Sequence, residues 1–134
     1  MAEITFKIIG IPVPKGRPRF TRDAGFVRAY TPLKTRRWEK IIRGQAVSYR
    51  PEYLWEGPII MTLTFMMPRP KSLPKKVIYH IKKPDLDNLV KTVKDALQGI
   101  IYKSDSQIII TNSEKKYTLD EYGVAVKMEE INAK

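Results

Sequence analysis

Hydrophobic and polar residues follow two different periods along the chain, and these periods predict where strands and helices lie. A period of two, rich in β-branched residues, predicts a strand over residues 3–9. Apolar residues run almost without interruption from 59 to 67 and stop at a proline, which predicts a strand near the centre of a sheet. Two strand-like runs near the end of the chain, 108–117 and 123–128, predict a terminal hairpin.

Two other segments carry apolar residues at spacings of three and four, the period of an amphipathic helix. The first is predicted to begin at Thr31-Pro32 and to run to about residue 49. Its predicted buried residues are Trp38, Ile41, Ile42 and Ala46. The second is predicted to begin at Asp85 and to run to residue 97. Its predicted buried residues are Leu86, Leu89, Val90, Val93 and Leu97, followed by Ile100.

The element order β-α-β-α-β-β predicts an α+β fold in which two helices pack on a small mixed β-sheet. The chain has 134 residues, which predicts a single domain over residues 1–134. No apolar run reaches the roughly 20 residues of a membrane span, and no charged segment with an apolar core opens the chain. We therefore expect a soluble, cytoplasmic protein.

Charge narrows the possible partners. The chain has 25 lysine and arginine residues against 14 aspartate and glutamate residues, a formal net charge of +11. This charge predicts a polyanionic partner, for which nucleic acid is the first candidate and an acidic membrane surface the second. The absence of cysteine excludes disulfides, thiol nucleophiles and cysteine-ligated zinc.

Two proline-broken basic segments contain the candidate DNA contacts. Residues 12–32 are predicted to form a long irregular loop, in which aromatic residues alternate with cations that suit phosphate contacts and base stacking. Residues 68–76 are predicted to be extended and mobile, as a positive flap beside the second helix. The candidate DNA-binding residues are Lys15, Arg17, Arg19, Arg22, Arg69, Lys71, Lys75 and Lys76. The alternative is that both segments are solvated basic loops.

The second helix opens with acidic residues in a chain that is otherwise basic. Asp85 and Asp87 lie in its first turn, and the helical period brings Lys91 onto the same face as Asp87. Asp105 precedes a β-branched run, 108–111, that predicts a buried strand. If this strand packs beside the helix, Asp105 returns to the neighbourhood of the other two carboxylates.

Residue chemistry leaves two interpretations of this cluster open. Acidic residues in a first turn commonly cap free N–H groups and suit the helix dipole, and Asp87 with Lys91 is an ordinary i,i+4 pair. Three carboxylates in one site would instead hold magnesium, a hard cation that prefers oxygen ligands and activates a bound water for phosphodiester hydrolysis. A lysine beside them would stabilise charge on the reacting phosphate.

The same stretch resembles the signature of the RusA family of Holliday junction resolvases. The similar residues are Lys-Pro-Asp-Leu-Asp-Asn-Leu-Val-Lys at 83–91, then Asp95-Ala96-Leu97 and Asp105-Ser106-Gln107. Residues 12–19 are also similar to a segment near the start of many members. The resemblance implies a small, basic, homodimeric endonuclease that uses magnesium, with manganese as a substitute. It also implies a nucleoid-associated protein encoded by a bacterium or phage.

By this resemblance, Asp85, Asp87 and Asp105 match the metal-binding catalytic carboxylates of the family, and Lys91 matches its essential lysine. Some relatives have an acidic residue where Ser104 stands, and this departure leaves the ligand set at that position open. The implied function is a magnesium-dependent, structure-selective endodeoxyribonuclease that resolves four-way DNA junctions by paired symmetric nicks, in recombination and repair.

The sequence alone leaves two alternative functions open. One is a nuclease that prefers flaps, forks or single strands, because a metal site does not determine which DNA shape is cut. The other is a non-catalytic nucleic-acid-binding protein, in which the acidic residues are only caps and ion-pair partners. Magnesium-dependent nicking of a synthetic junction distinguishes the three.

Overall fold

The computed structural model describes residues 2–16, 19–23 and 25–131 of the chain. The strands and α-helices in these residues are β1 Ala2–Ile9, β2 Arg19–Asp23, β3 Phe26–Tyr30, α1 Leu33–Ala46, β4 Ile59–Met67, α2 Leu86–Leu97, β5 Ile108–Tyr117 and β6 Gly123–Glu130. Short 3-10 turns follow α1 at Val47–Tyr49 and precede β5 at Asp105–Gln107. Within the described residues, no helix has both the length and the apolar character needed to cross a membrane.

Four strands form a mixed sheet in the order β1-β6-β4-β5. β6 pairs antiparallel with β1 and with β4, whereas β4 pairs parallel with β5. The parallel pair follows from the connection through α2, because parallel neighbours need a crossover of a dozen or more residues. The predicted α+β class, with two helices packed on a small mixed sheet, is confirmed.

The core lies between the two helices and one face of this sheet. Side chains along β4 alternate between buried and half-buried, which places every second one among the helices. The buried members of β4 are Ile59, Met61, Leu63, Phe65 and Met67. The predicted apolar stripe of α2 is buried except for Leu86, which is half-buried. On α1 the stripe is narrower than predicted, since Ile41 is 43% exposed.

The predicted terminal hairpin is wrong. β6 lies in the interior of the sheet between β1 and β4, and β5 forms an edge. Val124, Val126 and Met128 of β6 are almost fully buried, whereas the middle of β5 is polar. The more apolar strand therefore occupies the position that removes more apolar area from water. The prediction of a buried run at 108–111 is also wrong, because Ile109 and Ile110 are 58% and 45% exposed.

The segment 12–32, predicted to be irregular, contains a second sheet. β2 and β3 pair antiparallel around a turn that includes Gly25, with φ of 83°. The prolines and the other glycine of the segment lie outside this hairpin, and the residues between them include several that favour strands. The predicted element order therefore lacks this hairpin. The first helix ends as an α-helix at Ala46 and continues as a 3-10 turn to Tyr49, close to its predicted end.

β6 begins at a position where the sheet requires glycine. Gly123 has φ of 154°, a conformation that residues with a side chain rarely adopt. A Cβ atom at this position would collide with the carbonyl oxygen of Ile8 on the neighbouring strand β1. The close approach of β6 to β1 at this end thus depends on the absence of a side chain.

We expect Gly123→Ala to lower the free energy of unfolding by about 2 kcal/mol, because the backbone is strained and the two strands must separate. Urea denaturation measures the change. Gly44→Ala is the matched control, since a Cβ there meets no atom within 4 Å. Alanine is the better helix former by about 0.5–1 kcal/mol, so this control should be at least as stable as wild type. Equal stability of Gly123→Ala and wild type would contradict the steric argument.

Candidate active site

The first turn of α2 presents two exposed carboxylates. Asp85 stands at the N-cap position, where the helix was predicted to start, but its side chain makes no capping hydrogen bond. The Oδ1 atom of Asp87 accepts a hydrogen bond of 3.0 Å from the N–H of Asn88. Neither carboxylate forms an ion pair with any residue in the described ranges. A capping hydrogen bond therefore does not account for Asp85, and ion pairing to Lys91 accounts for neither residue.

The edge strand β5 holds the segment that leads into α2. The ammonium group of Lys115 donates hydrogen bonds to the carbonyl oxygens of Lys82 and Pro84, both at 2.6 Å. These bonds attach the N-terminal end of α2 to β5 and so help to fix where Asp85 and Asp87 stand. The sequence alone does not indicate this role of Lys115, because the side of the strand on which its side chain lies depends on the register of β5.

Asp105 is positioned by a capped turn at the other end of α2. The hydroxyl of Ser104 accepts a hydrogen bond from the N–H of Ser106 at 3.2 Å, and the Gln107 side chain accepts one from the N–H of Ser104 at 2.9 Å. The N–H of Asp105 itself donates to the Oε1 atom of Gln98, just past α2, at 3.0 Å. The backbone around Asp105 is thus held by hydrogen bonds, while its carboxylate forms no ion pair with the described residues.

Asp87, Lys91 and Asp105 line one cavity of about 400 Å³ between α2 and β5. Its other lining residues are Val90, Lys94, Thr111 and Ser113. The inward-facing hydroxyls of β5 were not predicted, and their only signal in the sequence is the period of two along that strand. The expectation that the strand after Asp105 packs beside α2 holds, and it brings two of the three predicted carboxylates to the same cavity.

The third carboxylate, Asp85, lies elsewhere. It lines a neighbouring cavity of about 970 Å³, which is bounded by residues 11–16, the start of α1 and the start of α2. Among the residues that the structure describes, no three acidic or histidine side chains are grouped closely enough to hold a metal ion. The expectation that three carboxylates and a lysine share one small site is therefore met by two carboxylates and the lysine, while Asp85, in the same first turn as Asp87, lines the neighbouring cavity.

The donor atoms in the smaller cavity fit magnesium. Carboxylate and hydroxyl oxygens are hard ligands, and Mg²⁺ in nucleic-acid enzymes is commonly bound through one or two carboxylates, with waters and substrate phosphates as its other ligands. Asp87 and Asp105 supply the carboxylates, and Thr111 and Ser113 supply hydroxyl groups. Softer metals are not favoured, since the cavity has no histidine and the chain has no cysteine.

A chain of alternating charges connects α1 to this cavity. The Nζ atom of Lys91 lies 3.7 Å from Oδ1 of Asp95, and the other Asp95 oxygen lies 3.1 Å from Nζ of Lys15. The same Lys15 ammonium lies 3.0 Å from Glu39 of α1. The carboxylate of Asp95 is thus shared between two lysines, and it holds Lys91 at a distance longer than a direct hydrogen bond.

Lys15, a candidate DNA contact, instead joins the two helices. Its side chain is only 21% exposed, and its N–H donates to the carbonyl oxygen of Asn88 at 2.9 Å. Burial acts to lower the pKa of Lys15, but the hydrogen bonds to Glu39 and Asp95 outweigh it and raise the pKa above the ordinary 10.5. A phosphate would have to compete with two carboxylates for this ammonium. The structure gives Lys15 a structural role, and its role as a DNA contact stays a prediction.

Arg69 is a second candidate DNA contact with a structural role. Its guanidinium donates to the carbonyl oxygens of Thr118, Pro74 and Val77 at 3.3, 2.8 and 2.6 Å, and it lies 5.4 Å from the ring centre of Tyr117. These bonds fold residues 70–77 into turns. The predicted extended conformation of this segment is therefore wrong, because one arginine satisfies carbonyl groups on both sides of it. Its predicted mobility stays a prediction.

The other candidate DNA contacts differ in what the structure says of them. Arg22 on β2 is exposed, and so are Lys71, Lys75 and Lys76 on the turns that Arg69 holds. Arg17 and the side chain of Arg19 lie outside the described residues. The exposed members remain predictions as phosphate contacts.

Comparisons with known proteins identify similar sequences. The family model described as endodeoxyribonuclease RusA matches residues 10–129. A protein of Bacillus subtilis strain 168 named uncharacterized protein YqaN is 36% identical over 140 aligned positions, which cover 97% of this chain and 98% of that protein. The matched range includes α2, β5 and all three carboxylates.

We expect Lys15→Met to lower the free energy of unfolding by roughly 1 kcal/mol at neutral pH, because two carboxylates lose their shared cation. The pKa of Lys15 is raised by folding, so its contribution is fully present below pH 10.5 and is lost as the pH rises through the folded-state pKa. Urea denaturation between about pH 8 and about pH 11.5 should show the wild type and the variant converging.

Lys7→Met on the exposed face of β1 is the control, and its effect should be small at every pH. Full stability of Lys15→Met near pH 8 would show that the ion pairs contribute nothing to folding. A difference that grows with rising pH would contradict the sign of the pKa shift.

Proposed function

Because the chain belongs to the endodeoxyribonuclease RusA family, we propose that it is a magnesium-dependent, structure-selective nuclease that resolves four-way DNA junctions by paired symmetric nicks. The observation that carries this proposal is the shared cavity of Asp87, Lys91 and Asp105, which joins the two parts of the family-like signature. Asp87 and Asp105 are 18 positions apart in the sequence, and the packing of β5 beside α2 brings them together. The matched family is one of endodeoxyribonucleases, which supports phosphodiester hydrolysis as the reaction.

The residues of the cavity would have different roles in the reaction. Asp87 and Asp105 would hold magnesium, with Asp85, in the same first turn of α2 as Asp87, as the third carboxylate that the family resemblance implies. When bound, magnesium supplies an activated water and stabilises negative charge on the reacting phosphate. Lys91 is 59% exposed and is only loosely held by Asp95, so its ammonium remains available to a phosphate oxygen.

The net charge of +11 supports DNA as the substrate. Exposed cations draw a polyanion to the surface and oppose the repulsion between phosphates and the carboxylates of the cavity. The exposed residues Arg22, Lys71, Lys75 and Lys76 are proposed phosphate contacts. Junction selectivity is proposed on the family match, and flaps, forks and single strands are the competing substrates in its test.

We also propose that the active form is a homodimer. Resolution of a four-way junction requires cuts in two opposing strands, whereas one cavity of the kind described supports one cut for each binding event. Two-fold pairing of identical chains is the commonest way to provide two equivalent sites. The family resemblance gives the same expectation.

Asp87→Asn and Asp105→Asn should each slow single-turnover cleavage of a synthetic junction by more than about a hundredfold, because each removes a charged ligand. We expect the same loss for Asp85→Asn, which tests the carboxylate in the neighbouring cavity. Junction affinity should hold or rise, since a negative charge near phosphates is lost. Glu121→Gln, on the exposed loop between β5 and β6, is the control and should cleave normally.

Cleavage is measured with and without magnesium on junction, flap, fork and single-stranded substrates of the same sequence. Normal cleavage by Asp87→Asn would overturn the site assignment. Faster cleavage of flaps or forks than of junctions would replace the junction by those substrates and leave the nuclease chemistry in place.

Mixed dimers test the paired cuts. Wild-type chains mixed with an excess of tagged Asp87→Asn chains give a purifiable mixed species, which should leave a cruciform-bearing plasmid as nicked circles. Wild-type dimers should linearise the plasmid within one binding event, and light scattering should give twice the chain mass of 15.5 kDa. A protein that is monomeric both free and on the junction, or a mixed species that linearises the plasmid efficiently, would contradict the dimer.

A further inference from the structure

The exposed face of α1 is strongly basic and has little acidic compensation. Lys34, Arg36, Arg37 and Lys40 are exposed, and none forms an ion pair with the described residues. Glu39 is the one acidic residue in the sequence of α1, and Lys15 already neutralises it. Like charges at neighbouring helical positions repel each other, so this face gains most from a polyanion.

A shallow cleft of about 620 Å³ runs along this face, lined by Arg36, Lys40, Arg43 and Gly44 of α1 and closed at one side by Ile100. Arg43 is fixed there, because it donates to the carbonyl oxygens of Ala96 and Gln98 at 3.1 and 3.3 Å. The wall of the cleft beside α2 is therefore rigid, whereas the long side chains of Arg36 and Lys40 are free to contact a ligand.

Gly44 in this cleft has no structural explanation within the chain. Glycine inside a helix costs about 0.5–1 kcal/mol relative to alanine. A Cβ atom at Gly44 would meet no atom within 4 Å, so the packing of the protein does not require glycine there. A bare stretch of backbone between cations does allow a phosphate group to approach the helix closely.

The cleft lies next to the candidate active site. Glu39 lines the cleft, and the ion pairs described above lead from it through Lys15 and Asp95 to Lys91. Packed helices have axes about 8–10 Å apart, which corresponds to roughly three base-pair steps of duplex DNA at 3.4 Å each. A duplex arm that leaves the active-site cavity across α2 reaches the cations of α1 within one helical turn.

We propose that the exposed face of α1 binds the phosphate backbone of a duplex arm of the substrate, with Gly44 as the point of closest approach. This inference rests on the proposed nuclease function and adds to it the path that the DNA follows. The contacts are to phosphates, so the surface positions the arm relative to the cavity and does not read its sequence.

Binding is measured by fluorescence anisotropy over a salt series, on a junction and in an Asp87→Asn background that prevents cleavage. Arg36→Gln with Lys40→Gln should weaken binding about tenfold and reduce the log–log salt slope by about 1.8, the value for two lost phosphate contacts. The control, Lys7→Gln with Lys127→Gln, removes the same charge from the open face of the sheet. It should change the affinity and the salt slope less than the α1 variant does.

Gly44→Leu adds bulk without a change in charge. Its stability should equal or exceed that of wild type, because leucine is a better helix former and Gly44 is exposed. Its affinity for the junction should nevertheless fall several-fold. Unchanged affinity would remove the argument for close approach at Gly44.

The absence of cysteine allows a direct measurement of position. A single cysteine at Lys40→Cys, labelled with an iron–EDTA reagent, should cut the DNA backbone in one arm a few base pairs from the nick site. The same label at Lys7→Cys should give no such cuts.

The outcomes separate this inference from the proposed function. A wild-type protein that neither binds nor nicks branched DNA would overturn both. Normal nicking, with the α1 variant indistinguishable from the Lys7 and Lys127 control, would overturn only the α1 surface. Loss of binding to anionic vesicles in the α1 variant, with junction binding intact, would assign the surface to a membrane and also overturn the inference.

Discussion

The parallel pairing of β4 with β5 is the constraint on which the candidate active site depends. Parallel neighbours must be joined by a crossover, and here the crossover is α2, so the helix that carries Asp87 and Lys91 is placed beside β5. A terminal hairpin of β5 with β6 would have left α2 without this neighbour. The edge position also suits the polar middle of β5, since Thr111 and Ser113 line the cavity beside α2 and are not forced into the core.

The charges of this protein fall into two groups with different roles. Glu39, Lys15, Asp95 and Lys91 alternate in sign and cancel as a set, and their half-buried members are less screened by salt than surface charges. Among the described residues, the exposed cations of α1, Arg22 of β2 and the lysines on the turns after β4 form no ion pair. Most of the proposed phosphate contacts are thus separate from the residues that join the helices, and Lys91 belongs to both groups.

The sequence was most informative where local periodicity decides the structure. The apolar stripe of α2, its start at Asp85 and the extent of β4 all follow from spacing alone. The spacing of residues could not show whether β5 or β6 lies in the interior of the sheet. That choice depends on how much apolar area each of the two strands buries beside β4. The hairpin of β2 and β3 was hidden by the glycines and prolines on either side of it.

Sequence also could not separate binding cations from structural ones. Lys15 and Lys71 carry the same charge in the sequence, but folding brings Glu39 and Asp95 to Lys15. Arg69 is similar, since its partners are carbonyl oxygens at Pro74, Val77 and Thr118. For the site itself, the helix period grouped Asp87 with Lys91, whereas the position of Asp105 depended on the packing of β5.

The hydrogen bonds of Arg69 have a thermodynamic consequence for the phosphate contacts that we propose at Lys71, Lys75 and Lys76. A loop that becomes ordered only on its ligand loses roughly 1–2 kcal/mol of backbone entropy for each residue fixed. Here that loss occurs during folding, because Arg69 already holds the turns on which the three lysines stand. Calorimetry of their contact with phosphates would therefore show mainly the entropy gained from released counterions, with little opposing loss of chain freedom.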